Sequence, residues 1–387
     1  MSLLKKTTIA LHAPHLFGHE EKYLKECLKK NEFTFGRFVN ALPKKISEIT
    51  GSKFPVLVQN CTSGLYLCLK ILKTLKDDEI IIPSITFIAS VNVIKYCQAN
   101  PVFMDVDEYC TLDIKKTTDF LIKETYFKNN YTYNKKTKKR ISSIIIVHTF
   151  GNLANMDKKF LDLCKNKNIN VVEDAAESLG SFYKRINKKY HSGTLGTVGS
   201  ISFNGNKIIT SAGGGVVLTN NKQSSQKISY WSNQAKDDQI EFIHNEVGYN
   251  FRLSNIHAAI GLAQIENLKK IIKLKKNIHY HYKKKLKIID GLSIMSAPSY
   301  SSSNYWINIL KIEKKYKFSK KEIITKLIKQ GIQARPIWFP NHLQKPYKLN
   351  QSYRISMANK IYDSYICLPS SSFLKEKEIN RIVKVIK

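Results

Sequence analysis

Through the middle of the chain, short apolar runs rich in β-branched residues alternate with longer segments of helical period. Val56 to Gln59, Glu79 to Ile82, Val102 to Asp105, Ile144 to His148, Asn170 to Glu173 and Ser200 to Phe203 predict strands. Leu65 to Leu75, Ser90 to Cys97 and Asp157 to Asn166 predict helices between them. Strands apolar on both faces and separated by helices predict a parallel sheet covered on both sides. Lys128 to Arg140 breaks the rhythm: it holds Asn, Lys, Tyr and Thr but no aliphatic residue, which predicts an exposed excursion. Asn255 to Ile289 reads as one long helical stretch whose outer face is coated with lysine. Ser- and Pro-containing Ser296 to Asn304 follows, then a βαβ-like pattern to Lys387. The expected organisation is an α/β fold with a large domain at 1–264, including the N-terminal segment, and a smaller C-terminal α/β domain at 265–387.

A chain of 387 residues with 43% hydrophobic content has the size for two cores and the apolar content to fill them. The apolar stretch Ile80 to Ile94 is interrupted by Pro83, Ser84, Thr86 and Asn92, and is shorter than the ~20 residues of a membrane span. Met1 to Phe17 carries Lys5 and Lys6 without a continuous apolar core, which argues against an export signal. The cysteines at 27, 61, 68, 97, 110, 164 and 367 are odd in number and form no C-x-x-C pair. Neither a zinc site nor a disulfide framework is expected, and reduced thiols in a cytoplasm fit best. The net charge of +33 raises the question of nucleic acid. Its lysines, however, are scattered along the whole chain among Ile, Asn and Tyr, the pattern of a compositional bias. Attraction of a small anionic substrate is the milder consequence of the same field, and neither a nucleic acid nor a membrane is an expected partner.

The chemistry concentrates around one lysine. Ser202-Phe203-Asn204-Gly205-Asn206-Lys207 is a polar turn ending in an amine and followed by Gly213-Gly214-Gly215. Glu173-Asp174-Ala175-Ala176-Glu177 closes an apolar strand upstream. A lysine able to form a Schiff base, with an aspartate delivered to the same pocket, is what pyridoxal phosphate chemistry requires. Strand alternation sends Glu173 to the face opposite Asp174; the rival roles for Asp174 are a metal ligand or a helix cap. Asn60-Cys61-Thr62-Ser63-Gly64 joins a strand to a helix, and such a helix start favours an anion. Ordinary capping by Thr62 or Ser63 would use the same residues, and Ser202 is a further donor. Phe87, after the strand ending near Ile82, could stack on a ring or sit in the core. Gly193 to Gly199 precedes a strand and has the wrong spacing for a dinucleotide fingerprint.

Taken together, these motifs resemble the DegT/DnrJ/StrS family of pyridoxal-phosphate sugar-nucleotide aminotransferases. Phe33-Thr34-Phe35-Gly36, Pro83-Ser84-Ile85-Thr86-Phe87, His148-Thr149-Phe150-Gly151 and Gly248-Tyr249-Asn250-Phe251-Arg252-Leu253 carry the similarity alongside the turns above. The resemblance implies the aspartate aminotransferase-like fold (type I) and a homodimer with shared sites. It makes Lys207 and Asp174 catalytic, Phe87 the stacking residue, and Thr62, Ser63 and Ser202 the phosphate ligands, with Asn250 reaching the phosphate of the other subunit. Glu177 stands where relatives often carry Gln or His near the ring oxygen. Phe35, His148, Arg335 and His342 are the implied substrate contacts, and no metal is implied. The wording of the Lys207 turn is closest to the branch making bacillosamine- or legionaminic-acid-type precursors. That implies L-glutamate as donor and a UDP- or GDP-linked 4-keto-6-deoxy-N-acetylglucosamine type of acceptor, with UDP the first choice. Relatives with histidine in place of the lysine are dehydratases. A same-fold dehydratase, a cofactor-bound regulator and a basic nucleic-acid binder are the alternatives.

Overall fold

The computed structural model describes residues 9–185, 188–238 and 240–387. The start of the segment weighed as a leader, with Lys5 and Lys6, lies outside the described residues. All of the predicted strands fall in one sheet. From one edge its strands are Val56–Val58, Gly215–Leu218, Val198–Ser202, Asn170–Asp174, Arg140–Val147, Glu79–Pro83, Asn100–Met104 and Ser352–Tyr353. Only Gly215–Leu218 runs against the others in this row. The two-residue period of a strand sorts its side chains into two cores. Ile80, Ile82, Ile145, Val147 and Val172 enter one, and Ile81, Ile144, Ile146 and Val171 enter the other. Both faces are therefore buried, which is why these strands read as continuous apolar runs.

The helix after Val58 spans Cys61–Ile71 and starts before the predicted Leu65, because Asn60 caps it by accepting from the Ser63 N–H at 2.8 Å. Gly64 lets this helix approach the sheet: a Cβ there would lie 2.4 Å from Ser200 Oγ. Lys128 to Arg140 is largely exposed, as expected, but it is paired structure and not an irregular loop. Thr125–Lys128 and Tyr131–Asn134 form a hairpin whose second strand pairs with Arg140–Val147. Thr132 and Asn134 are buried, and Asn134 donates to Glu79 at 2.7 Å and to Gln351 at 2.8 Å. Polar side chains that satisfy one another replace the aliphatic pattern there.

The expected long helix is two helices, Asn255–Glu266 and Leu268–Leu286, divided at Asn267. The second is lysine-rich as read, yet Lys275 lies wholly on its buried side. Beyond it an antiparallel sheet of Leu292–Ile294, Asn308–Ile312, Tyr365–Leu368 and Arg335–Pro336 packs with Ile278, Tyr282, Ile323 and Ile382 into a separate core. That sheet falls inside 265–387, but chain segments cross the division. Ser352–Tyr353 joins the large sheet, Ser301–Ser302 pairs with Phe182–Arg185, and Ile9 bridges Ile332. Asp105, at the end of a large-sheet strand, accepts the N–H groups of Ser356, Met357 and Ala358 at the start of the helix Met357–Ser364. Among the described residues no helix is long and apolar enough to cross a membrane.

Candidate active site

The parallel strands deliver their carboxyl ends to one edge of the large sheet. The turns singled out in the sequence all follow those ends: Asn60–Ser63, Ser84–Phe87, His148–Gly151, Asp174–Glu177 and Ser202–Lys207. Ligands of such sheets bind along this edge. The loop carrying Lys207 is closed on itself, with the Lys207 N–H bonded to the Asn204 carbonyl at 2.9 Å and the Phe203 N–H to Gly214 at 2.9 Å. Lys207 Nζ reaches Glu177 Oε1 at 3.1 Å and stands 4.3 Å from the centre of the Trp306 ring, with its side chain 12% exposed. The other Glu177 oxygen accepts the Phe150 N–H at 2.8 Å. Asp174 is buried on the same edge; Ser90 donates to it at 2.5 Å and the Ala176 N–H at 3.1 Å. Burial raises the carboxyls of both Asp174 and Glu177, and the charge of Lys207 opposes the rise in each. Two buried carboxyls thus share one enclosed ammonium.

At the helix start, Asn60 has taken the capping role that Thr62 or Ser63 was expected to fill. The Ser63 hydroxyl accepts from Gln59 at 3.3 Å, and Thr62 is half-buried. Ser202 pairs with Gly215, while Gly214 bridges Asn60, so the helix start and the Lys207 loop adjoin through glycines. Phe87 is 55% exposed, its ring 6.2 Å from Trp338. It is a ring with a free face, and the core reading is excluded.

The remaining candidates are dispersed. His342 bonds Ser84 Oγ at 2.6 Å, and its neighbour Asn341 donates to the Ser84 and Thr86 carbonyls, so together they hold the Phe87 turn. Arg335 is exposed and no carboxylate pairs with it among the described residues, which removes the ion-pair reading. Phe35 is exposed beneath the Arg252 guanidinium, 4.5 Å away. Asn250 is exposed in a cavity of about 310 Å³ with Thr34, Gln59, Arg252 and His257. His148 is a correction. It is wholly buried, with Nε2 bonded to Glu173 at 2.8 Å, and it turns to the face away from Asp174, so it offers no contact to a substrate. The alternation that sent Glu173 away from the site sent its partner with it. Among the described residues no cluster of His, Cys, Asp or Glu could hold a metal ion.

The model of the DegT/DnrJ/EryC1/StrS aminotransferase family matches residues 15–387. The chain belongs to this family. EpsN of Bacillus subtilis is 34% identical over 98% of this chain and 95% of its own length. The GDP-perosamine synthase of Escherichia coli O157:H7 is 31% identical over 98% of this chain and 97% of its own. Among solved structures, Helicobacter pylori PseC, an aminotransferase involved in the biosynthesis of pseudoaminic acid, superposes with a TM-score of 0.86 at 23% identity, covering 98% of each chain. The architecture is the type I, aspartate aminotransferase-like fold.

This sugar aminotransferase depends on pyridoxal 5′-phosphate, and its residues fit that group. An enclosed amine and a buried carboxyl stand on one edge of the sheet, a helix start keeps hydroxyls that capping has not consumed, and an aromatic face lies open. Other parts of the aminotransferase site were missed in the sequence. Ser90 fixes Asp174 from a neighbouring helix, Phe150 turns its N–H to Glu177 at φ 59, and Trp306 lies against Lys207 from a hundred residues downstream. A serine in an ordinary helix and a tryptophan in a loop carry no local signal for such roles.

Proposed function

We propose that this aminotransferase transfers the amino group of L-glutamate to a 4-keto-6-deoxy sugar carried on a nucleoside diphosphate. The observation that carries the reading is the enclosed Lys207 ammonium, held by Glu177 on the strand-end edge that also bears Asp174. Bound pyridoxal phosphate supplies an electrophilic carbon for amines and a ring that accepts electrons. Lys207 Nζ would hold that carbon, and its amine, when free, would be the base for the proton at the substrate carbon; a positioned base is worth ~10²–10⁴-fold. Asp174, oriented by Ser90 and Ala176, would keep a proton on the ring nitrogen. Glu177 holds Lys207 in place and accepts a hydrogen bond near the ring oxygen. Thr62, Ser63 and Ser202 would bind the phosphate, and Phe87 would cover the ring. Asn250 serves the site of a second copy, which makes the working unit a homodimer. Phe35, Arg335 and His342 line the approach of the sugar nucleotide, where the net charge of +33 favours an anion.

The UDP-linked 4-keto-6-deoxy-N-acetylglucosamine type is the first acceptor to test. The GDP-perosamine synthases at 30% and 31% identity support a GDP-linked ketosugar as the second. Lysine at position 207 favours amination over dehydration. The loaded protein should lose its visible band on addition of L-glutamate, releasing 2-oxoglutarate, and then convert one of these ketosugars to an amino sugar identified by mass spectrometry. A band indifferent to glutamate, or a deoxygenated sugar without nitrogen, would overturn the reading.

A further inference from the structure

Trp306 belongs to the turn that leads into the strand Asn308–Ile312 of the second sheet, yet it is bonded into the Lys207 loop. Its indole N–H donates to the carbonyl of Asn206, the residue before Lys207, at 2.7 Å. Its ring lies 4.3 Å from the Lys207 ammonium. Asn304, two residues earlier, donates to the carbonyls of Glu177 at 2.9 Å and Leu179 at 3.0 Å, and accepts the Trp306 N–H at 2.9 Å. One turn therefore grips both members of the Lys207–Glu177 pair through their backbones.

The turn is itself held from behind. Lys275, wholly buried, donates to the Trp306 carbonyl at 2.9 Å and to the Ser370 carbonyl at 2.6 Å. A buried lysine is costly unless its donors are used; Trp306 precedes the strand Asn308–Ile312 and Ser370 follows its antiparallel partner Tyr365–Leu368, so Lys275 ties one end of that pair together. His12 meets the Trp306 ring edge-on at 6.3 Å. Burial, with Lys275 and Lys207 close by, pushes His12 well below its ordinary value. Lys207 thus faces Glu177 and Asp174 on one side and Trp306, His12 and Lys275 on the other.

We propose that Trp306 is the positioning residue for Lys207, its N–H setting the Asn206–Lys207 peptide, its ring favouring the charged amine, and Lys275 fixing Trp306 in turn. The inference rests on the function proposed above and adds the residue that links the second sheet to the catalytic amine.

Trp306→Phe keeps a ring and removes the N–H; Trp306→Leu removes both; Lys275→Met removes the clamp. With pyridoxal phosphate bound, Trp306→Phe should lower kcat by about tenfold with little change in the KM for glutamate, and Trp306→Leu by about a hundredfold. The pH midpoint of the visible band should fall by about half a unit or more in Trp306→Leu and stay near the parent in Trp306→Phe, because only the former loses the cation–π contact. Lys275→Met should reproduce the Trp306→Phe pattern. Parent-like kcat and midpoint in a folded Trp306→Leu would overturn the proposal. Should these variants not fold, fluorotryptophan labelling of the unsubstituted chain provides the readout, with assignment through Trp231→Phe and Trp338→Phe. The Trp306 resonance must shift when pyridoxal phosphate is added and must not do so in Lys207→Ala; an indifferent resonance is equally fatal. A parent without a visible band, or a band surviving Lys207→Ala, would sink the functional reading itself and this inference with it.

Discussion

Glu173 and Asp174 are adjacent on one strand, both buried, and their surroundings differ in kind. Glu173 accepts from His148 and from the N–H groups of Gly193, Leu195 and Gly196. Burial alone would raise its carboxyl, but these donors outweigh burial and hold it below the ordinary range. Among the described residues Asp174 accepts only from Ser90 and the Ala176 N–H, and burial wins, so its carboxyl rises. A buried charge with every lone pair engaged fastens the loop at 193–196 and the turn that begins at His148. One engaged in part, beside an enclosed ammonium, keeps capacity for a ligand. The sheet's pleat separates structure from chemistry within a single dipeptide.

The sharpest test of the comparison lies on the Asp174 side. Lys207→Ala should cost ~10⁴-fold in turnover, measured by release of 2-oxoglutarate, and near-parent turnover would erase the distinction. Glu173→Gln should act on the fold instead. Replacing the carboxylate leaves some of its buried donors facing an amide NH₂, at a cost of ~1–3 kcal/mol, to be read by denaturant titration, while kcat of the folded fraction stays close to the parent. Because the folded carboxyl is depressed, its contribution is present above the unfolded value and is lost as pH falls through the folded one. The gap between Glu173→Gln and the parent should therefore close in acid.

Asp174→Asn should show the reverse. Loss of the charge should lower kcat by ~10²–10³-fold, while the cofactor-free protein should melt higher than the parent at neutral pH. Here the folded carboxyl is raised, so its ionisation penalises the fold above the folded value, and the penalty fades as pH falls towards the unfolded one. The advantage of Asn should vanish in acid by calorimetry; a variant that melts lower than the parent at every pH would break the comparison. The smallest effect belongs to the phosphate end. Asn60→Ala removes the helix cap at a cost of ~1 kcal/mol, and the same variant should weaken cofactor binding, measured by fluorescence titration, only modestly.

Much of this arrangement was legible because parallel strands buried on both faces leave a plain signature. The runs at Glu79 to Ile82 and Asn170 to Glu173 are strands, and the turns that follow them present the candidate residues on one edge of the sheet. Gly215–Leu218 escaped notice because it runs antiparallel straight out of a glycine run. The Tyr131–Asn134 strand escaped because its buried Thr132 and Asn134 are satisfied by distant groups, Lys167 and Gln351 among them, that no local pattern reveals. His148 was assigned to a substrate because its motif adjoins the site; its side chain follows the pleat to Glu173 instead.

Periodicity and turn chemistry are local, so the chain alone determined the layered α/β architecture, the strand-end turns and the identity of the amine and carboxyl they present. Which groups surround that amine is a matter of long-range packing. Trp306 meets Lys207, Asn304 holds the Glu177 backbone and Lys275 holds Trp306, all three arriving from sequence-distant segments. Hydrogen-bond partners chosen across such separations depend on the folded geometry, and only the tertiary structure could name them.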